Sequence, residues 1–179
     1  MACDFRSKFK LIKFLQRGNE SEIFKCADRI TGQLFACKII KGRYNNRRFI
    51  KYELSNARLC DYRHIYKIYD CFYDEKKQET YIVTDLGDGD IMDYVEKYNL
   101  NIYEKINTIR QMTLAVDYIQ KKGIYHGDLK LENFIYRKHT PSELIDIDYL
   151  NKNIKNELTV KLIDFEFSRK YDKKHGTEN

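Results

Sequence analysis

Between residues 102 and 136 the chain changes periodicity twice, and that change confines what it can fold into. Ile102, Ile106, Ile109, Met112, Val116 and Ile119 step by three or four, a helical stripe opened by an Asn101 to Glu104 capping box and stopped near Gly123. Leu114 and Tyr118 add apolar surface on a second face of the same helix. Phe134-Ile135-Tyr136 then reads as a strand. The residues between, His126-Gly127-Asp128-Leu129-Lys130-Leu131-Glu132-Asn133, fit neither period and form a loop. That loop carries an imidazole, a carboxylate, an amine and an amide at fixed short spacing. A second polar feature, Asp164-Phe165-Glu166, follows the alternating run Thr159-Val160-Lys161-Leu162-Ile163.

Upstream the pattern is strand-like. Phe9, Leu11, Lys13 and Leu15 alternate with period two, Ile23 to Cys26 follows, and a turn at Thr31-Gly32 leads into Leu34 to Ile40. Two further strands, Ile65 to Phe72 and Thr80 to Thr84, flank a polar turn from Asp74 to Glu79, so a five-stranded antiparallel sheet is expected. Between the third and fourth strands, Phe49, Ile50, Leu54, Ala57 and Cys60 fall at helical intervals from Asn46 to Cys60, which places Glu53 among inward-facing neighbours. A carboxylate there requires a cation. Asp85 to Gly89 interrupts the pattern with two glycines and reads as a hinge, and a short helix is expected from Ile91 to Tyr98. Residues Lys138 to Glu157 read as an insertion loop, and the chain is expected to fray after Ser168.

The two polar features, in this order, resemble the H-R-D-L-K-x-x-N and D-F-G motifs of the eukaryotic protein kinase family, in its Ser/Thr subclass. The resemblance runs from about Phe9 to Ser168. It implies an α+β, protein-kinase-like fold: a five-stranded antiparallel N-lobe with one helix over residues 1–86, and a partial, mainly helical C-lobe over 87–179. Asp128 would accept or orient the proton of an attacking hydroxyl, Lys130 would neutralise the transferring phosphoryl group, and Asn133 with Asp164 would hold Mg²⁺. Ala36-Cys37-Lys38 stands where the family has V-A-I-K, with Glu53 as the partner that holds Lys38 against the ATP phosphates. The glycine-rich phosphate cover, G-x-G-x-x-G-x-V, is matched by Gln16 to Ile23 with its middle glycine, Gly18, retained. Leu15, Ile23 and Ala36 join the cofactor-binding set. Thr84 sets the pocket depth, the backbone at Asp85 and Leu86 meets the adenine edge, and Ile135 forms the floor.

Gly127 replaces the motif's arginine and Glu166 the glycine of D-F-G. The activation segment, A-P-E motif and later helices that follow D-F-G in the family have no counterpart here, so a kinase domain truncated at its C-terminal side is expected. Two functions follow: ATP- and Mg²⁺-dependent transfer of phosphate to Ser or Thr of a protein substrate, or a non-catalytic kinase mimic that binds nucleotide or a kinase-like partner. The apolar second face of the 102–119 helix is expected to meet such a partner or a second copy of the chain through Leu114 and Tyr118.

Composition narrows the alternatives. A net charge of +6, spread apart from a cluster at Arg47, Arg48 and Lys51, suits phosphate ligands but lacks the basic stripe of a nucleic-acid binder. No apolar run approaches the roughly 20 residues of a membrane span. Five cysteines without a C-x-x-C pair and an opening without a signal pattern favour a reducing intracellular, cytoplasmic setting with thiols as core residues.

Overall fold

The computed structural model describes residues 4–18, 21–42, 47–139 and 158–171. The chain forms two compact units, residues 1–59 with 66–86, and 60–65 with 87–179.

The first unit contains α1 (Phe5–Lys8), β1 (Phe9–Arg17), β2 (Ser21–Asp28), β3 (Leu34–Lys41), α2 (Arg47–Arg58), β4 (Ile68–Asp74) and β5 (Glu79–Thr84). The strands make the expected five-stranded antiparallel sheet in the order β1-β2-β3-β5-β4. The β2–β3 turn is set by Asp28, whose carboxylate accepts the Ile30 and Thr31 N–H groups, and by Gly32 at φ +72°. Register sorts the side chains by face. Ile23 lies opposite Lys38, Lys38 opposite Ile82, and Ala36 opposite Thr84, so these share one face. The other face carries Cys26, Phe35, Cys37, Ile39, Phe72, Tyr81 and Val83, a core completed by Phe5 and Phe9.

Phe5 is the keystone of that core, and the sequence pattern does not reveal it. Its ring stacks on Tyr81 at 4.7 Å and on Phe9 at 5.6 Å and meets Phe72 edge-on at 5.8 Å. The four-residue α1 is too short to show a period; Lys8 bonded to Asp70 at 2.7 Å and Arg29 bonded to the Arg6 carbonyl at 2.7 Å hold it down. The period of two expected along β1 also fails. Register slips after Leu11 and after Phe14, and Phe9 is the strand's buried residue. Each bulge re-aims the residues beyond it, so alternation cannot persist over nine residues.

The second unit contains β6 (Gly89–Asp90), α3 (Ile91–Lys97), α4 (Ile102–Lys121), β7 (Ile124–Tyr125), β8 (Phe134–Lys138), β9 (Leu158–Leu162) and β10 (Arg169–Lys170). Strands β6, β8 and β9 form one small sheet, β7 and β10 another. The capping box forms as expected: the Asn101 side chain accepts the Tyr103 and Glu104 N–H groups while Glu104 accepts the Asn101 N–H. The expected stripe on α4 is mis-phased. Its buried residues are Thr108, Gln111, Ala115 and Ile119, whereas Ile102, Ile106 and Ile109 are 63%, 57% and 62% exposed. A backbone requirement outranks apolar periodicity here. The Gln111 amide donates to the Leu158 carbonyl at 3.3 Å and accepts the Val160 N–H at 3.0 Å, satisfying the open edge of β9.

Two further expectations change. Tyr118 is not open surface: it stacks on Tyr62 at 4.5 Å and donates to the Asp61 carbonyl at 3.3 Å, while Leu114 is half-buried. The exposed apolar residues of α4 are Ile102, Tyr103, Ile106 and Ile109 instead. Residues 169–171 do not fray, because β10 pairs with β7 and the Tyr171 hydroxyl donates to the Gln120 carbonyl at 2.7 Å. Gly87 and Gly89 serve close packing: a Cβ on Gly87 would lie 2.8 Å from that of Ile135, and one on Gly89 3.1 Å from the Tyr136 ring. Asn46, most of the expected insertion (140–157) and the tail beyond Tyr171 lie outside the described residues. Among the described residues no helix is long and apolar enough to cross a membrane.

Truncating Phe5 to Ala should cost about 3 to 5 kcal/mol in urea unfolding of the first unit. Ile106→Lys, on a face the sequence pattern would bury, should stay within about 0.5 kcal/mol of the parent.

Candidate active site

Among the candidate residues of the first unit is a buried ion pair. Lys38 Nζ lies 3.1 Å from Glu53 Oε2, with the lysine side chain 12% and the glutamate 3% exposed. Strand β3 aims Lys38 to the face shared with Ile23 and Ala36, and α2 turns Glu53 inward, as its place in the helical period requires. A buried carboxylate without such a partner would be strongly unfavourable. Ile23, Ala36 and Thr84 are half-buried on the same sheet face, and Leu15, 43% exposed, is the extra residue of the bulge between Phe14 and Gln16. At the β1–β2 tip, Gly18 N–H donates to the Ser21 carbonyl at 2.8 Å. Asn19 and Glu20 lie outside the described residues. Glu22 bonds both Arg17, at 2.7 Å, and Lys41, and these contacts hold its carboxyl below its ordinary range, Lys41 contributing more.

Asp85 is anchored from two sides. Its carboxylate accepts the Lys67 N–H at 2.8 Å and the Tyr69 hydroxyl at 2.9 Å, and its own N–H donates to the Lys67 carbonyl at 3.3 Å. The Asp85 N–H is therefore engaged in the fold, and its carbonyl accepts the Thr84 hydroxyl at 3.4 Å.

In the second unit the loop after β7 is held by its own polar side chains. Asn133, at the end of a 3₁₀ turn (Leu131–Asn133), donates through Nδ2 to the Asp128 carbonyl at 2.8 Å and to Asp128 Oδ2 at 2.9 Å. Lys130 Nζ meets the same carboxylate oxygen at 2.8 Å. The Lys130 ammonium and then the Asn133 amide hold the Asp128 carboxyl below its ordinary value, and Asp128 in turn raises Lys130. With Nδ2 engaged, Oδ1 is the Asn133 atom available to a cation. The Ile163 N–H donates to the Asn133 carbonyl at 2.9 Å, which ties Asp164, at φ +65°, to the end of this loop. A carboxylate and an amide oxygen are the hard donors that suit Mg²⁺. Ile135, also of this unit, is half-buried on β8 against Gly87.

His126 and Gly127 are structural members that the motif string marks without explaining. The 1% exposed His126 donates from Nε2 to the Ile163 carbonyl at 2.9 Å, and its ring meets that of fully buried Phe165 at 5.1 Å. Burial lowers its pKa, so the ring stays neutral. Gly127 adopts φ +88°, and a Cβ there would fall 2.7 Å from the Phe167 carbonyl oxygen. An arginine here would require the Phe167 backbone to shift. Glu166 needs no glycine: among the described residues the non-glycine residues at positive φ are Gln78 and Asp164. It occupies a turn closed by the Ser168 N–H on the Phe165 carbonyl at 3.0 Å.

The clamped Asp128, the Lys38–Glu53 pair and the β8–β9 ladder leading to Asp164 accord with a known family. The protein kinase domain family matches residues 9–179, and the chain belongs to it. It is similar to calcium-dependent protein kinase 5 of Plasmodium falciparum (isolate 3D7), 32% identical over 148 residues, covering 79% of this chain and 26% of that protein. The Plasmodium berghei protein of the same name is 31% identical over 160 residues, 86% of this chain and 28% of its own. Myosin light chain kinase family member 4 of Mus musculus is 28% identical over 162 residues, 89% and 37% of the two chains. The chain spans about a quarter to two fifths of the length of these relatives.

Two outcomes check this geometry. Gly127→Ala should cost about 1 to 3 kcal/mol, read as a lowered melting temperature, because the position combines left-handed backbone with a steric overlap. His64, 3% exposed with Nδ1 on the Val160 carbonyl at 2.9 Å, shares with His126 a pKa lowered chiefly by burial. The unfolded chain therefore binds these protons more readily than the folded one, so stability is full above about pH 6.5 and falls as pH drops through the lowered folded values. A melting series from pH 8 to 5 should show that decline, and His126→Gln should flatten it.

Proposed function

We propose that this chain binds ATP with Mg²⁺ and transfers the γ-phosphoryl group to a serine or threonine hydroxyl of a protein. The observation that carries the reading is the Asp128 carboxylate, held by Lys130 and Asn133 in the loop between β7 and β8. A carboxyl kept below its ordinary pKa is a weak proton abstractor but a good acceptor, so its main work is to orient the incoming hydroxyl. The hydroxyl oxygen bonds to the γ-phosphorus as the bond to the departing ADP oxygen breaks, and Asp128 takes the hydroxyl proton late in that displacement. Lys130, already beside Asp128, neutralises the charge on the transferring group. Lys38, fixed by Glu53, supports the ATP phosphates. Asp164 and Asn133 Oδ1 are the oxygens assigned to Mg²⁺, which when bound neutralises phosphate charge. The Asp128-Leu129-Lys130 string supports Ser/Thr over Tyr as acceptor.

Glu166, a second carboxylate two residues from Asp164, favours a competing reading: a nucleotide-binding regulator without transfer. Mg·ATP at 100 times its dissociation constant should stabilise the protein by about 2.7 kcal/mol, a rise of roughly 5 to 11 °C in melting temperature for a chain of this size. Asp128→Asn should lower phosphoryl transfer, followed with labelled ATP, by about 10² to 10⁴ with nucleotide affinity retained. Nucleotide stabilisation without any transfer selects the regulator. No stabilisation of the folded parent removes both.

A further inference from the structure

The Lys38–Glu53 pair has a third member. Glu53 presents one carboxylate oxygen, Oε2, to Lys38; the other, Oε1, accepts the Tyr66 hydroxyl at 3.1 Å. Tyr66 is 3% exposed and Glu53 2%, so this contact is made out of water. Tyr66 stands immediately before Lys67, whose N–H and carbonyl are both bonded to Asp85. The hydroxyl therefore comes from backbone pinned to the end of β5, whereas Lys38 reaches Glu53 from β3.

We infer that Tyr66 is a positioning residue of the phosphate-binding lysine: by bonding Oε1 it fixes the rotation of the Glu53 carboxylate, and so aims Oε2 at Lys38. A carboxylate held at one oxygen can turn about its terminal bond, whose torsion is broad. Held at both oxygens by donors from two separate segments, it cannot turn without losing one of them, and a buried charged acceptor left unsatisfied is costly. Two anchors also fix where α2 sits against the sheet. A phenylalanine at 66 would keep the ring packing and lose the anchor. This role rests on the proposed use of Lys38 in binding ATP phosphates, and the experiment separates the two.

Affinities for Mg·ATP and for adenosine are measured by calorimetry on the full chain and on Tyr66→Phe and Lys38→Met. Adenosine has no phosphate, so a general loosening of the fold weakens both ligands, whereas a mispositioned Lys38 weakens ATP alone. Tyr66→Phe is expected to reduce ATP affinity by roughly ten- to 150-fold, the range of a hydrogen bond to a charged group, and to leave adenosine within about twofold. Loss of the ATP preference in Lys38→Met but not in Tyr66→Phe would overturn the role of Tyr66 and leave the ATP reading standing. A parent without ATP preference, or a Lys38→Met variant that retains it, overturns both.

A second measurement needs no ligand. The urea midpoint shift caused by Tyr66→Phe should be smaller in a Glu53→Gln background than in the parent, because the hydroxyl then bonds an uncharged partner. Equal shifts in the two backgrounds would show that the hydroxyl acts independently of Glu53.

Discussion

The carboxylate of Glu53 is the constraint around which the first unit is arranged. A charge with 2% exposure cannot stand alone in a packed interior, and its demand for donors explains features that look unrelated in the sequence. Lysine appears in the otherwise apolar run of β3, and a tyrosine appears in the segment entering β4. The opposite face of the sheet is built by apolar packing, with Phe5 closing a cluster of aromatic and thiol side chains. One face thus specifies the position of polar atoms, and the other supplies much of the cohesion that holds them there.

The second unit meets a similar demand with hydrogen bonds to the backbone. His126 and Asn133 grip the chain at Ile163 and Asp128, and Gln111 holds β9 from the flank of α4. Gln111 substitutes for a strand partner at the edge of β9, whereas His126 and Asn133 hold backbone that lies outside the strands. The loop bearing Asp128 and the residue Asp164 are consequently parts of one hydrogen-bonded assembly. The polar residues of this region, apart from those that would touch a ligand, are structural in a strict sense: they satisfy backbone groups that would otherwise be buried without partners.

What could be read from the sequence followed from how local each signal is. The five strands, α3, the Asn101 capping box and the approximate extent of α2 and α4 are set by short-range patterns and turn chemistry, and they appear as expected. The inward placement of Glu53 was legible because one carboxylate interrupted an apolar stripe. The phase of α4 was not, because counting apolar residues cannot detect that a glutamine faces inward to serve a strand 47 residues away. Phe5 was missed because four helical residues carry no period, and Tyr66 because a tyrosine before a strand looks the same whether or not its hydroxyl has a charged acceptor. The motif strings located Asp128, Asn133 and Asp164 but could not show that His126 is held neutral by burial or that Gly127 is sterically required.

Gly127 has a consequence for how this protein can change over time. An ordinary side chain at that position must displace the Phe167 carbonyl and strain a left-handed backbone, so the arginine found there in related motifs comes at a cost in stability unless the turn also changes. The turn from Phe165 to Ser168 would have to shift first or at the same moment. Positions 127 and 167 are therefore sterically coupled, and the side chain tolerated at one depends on the backbone at the other.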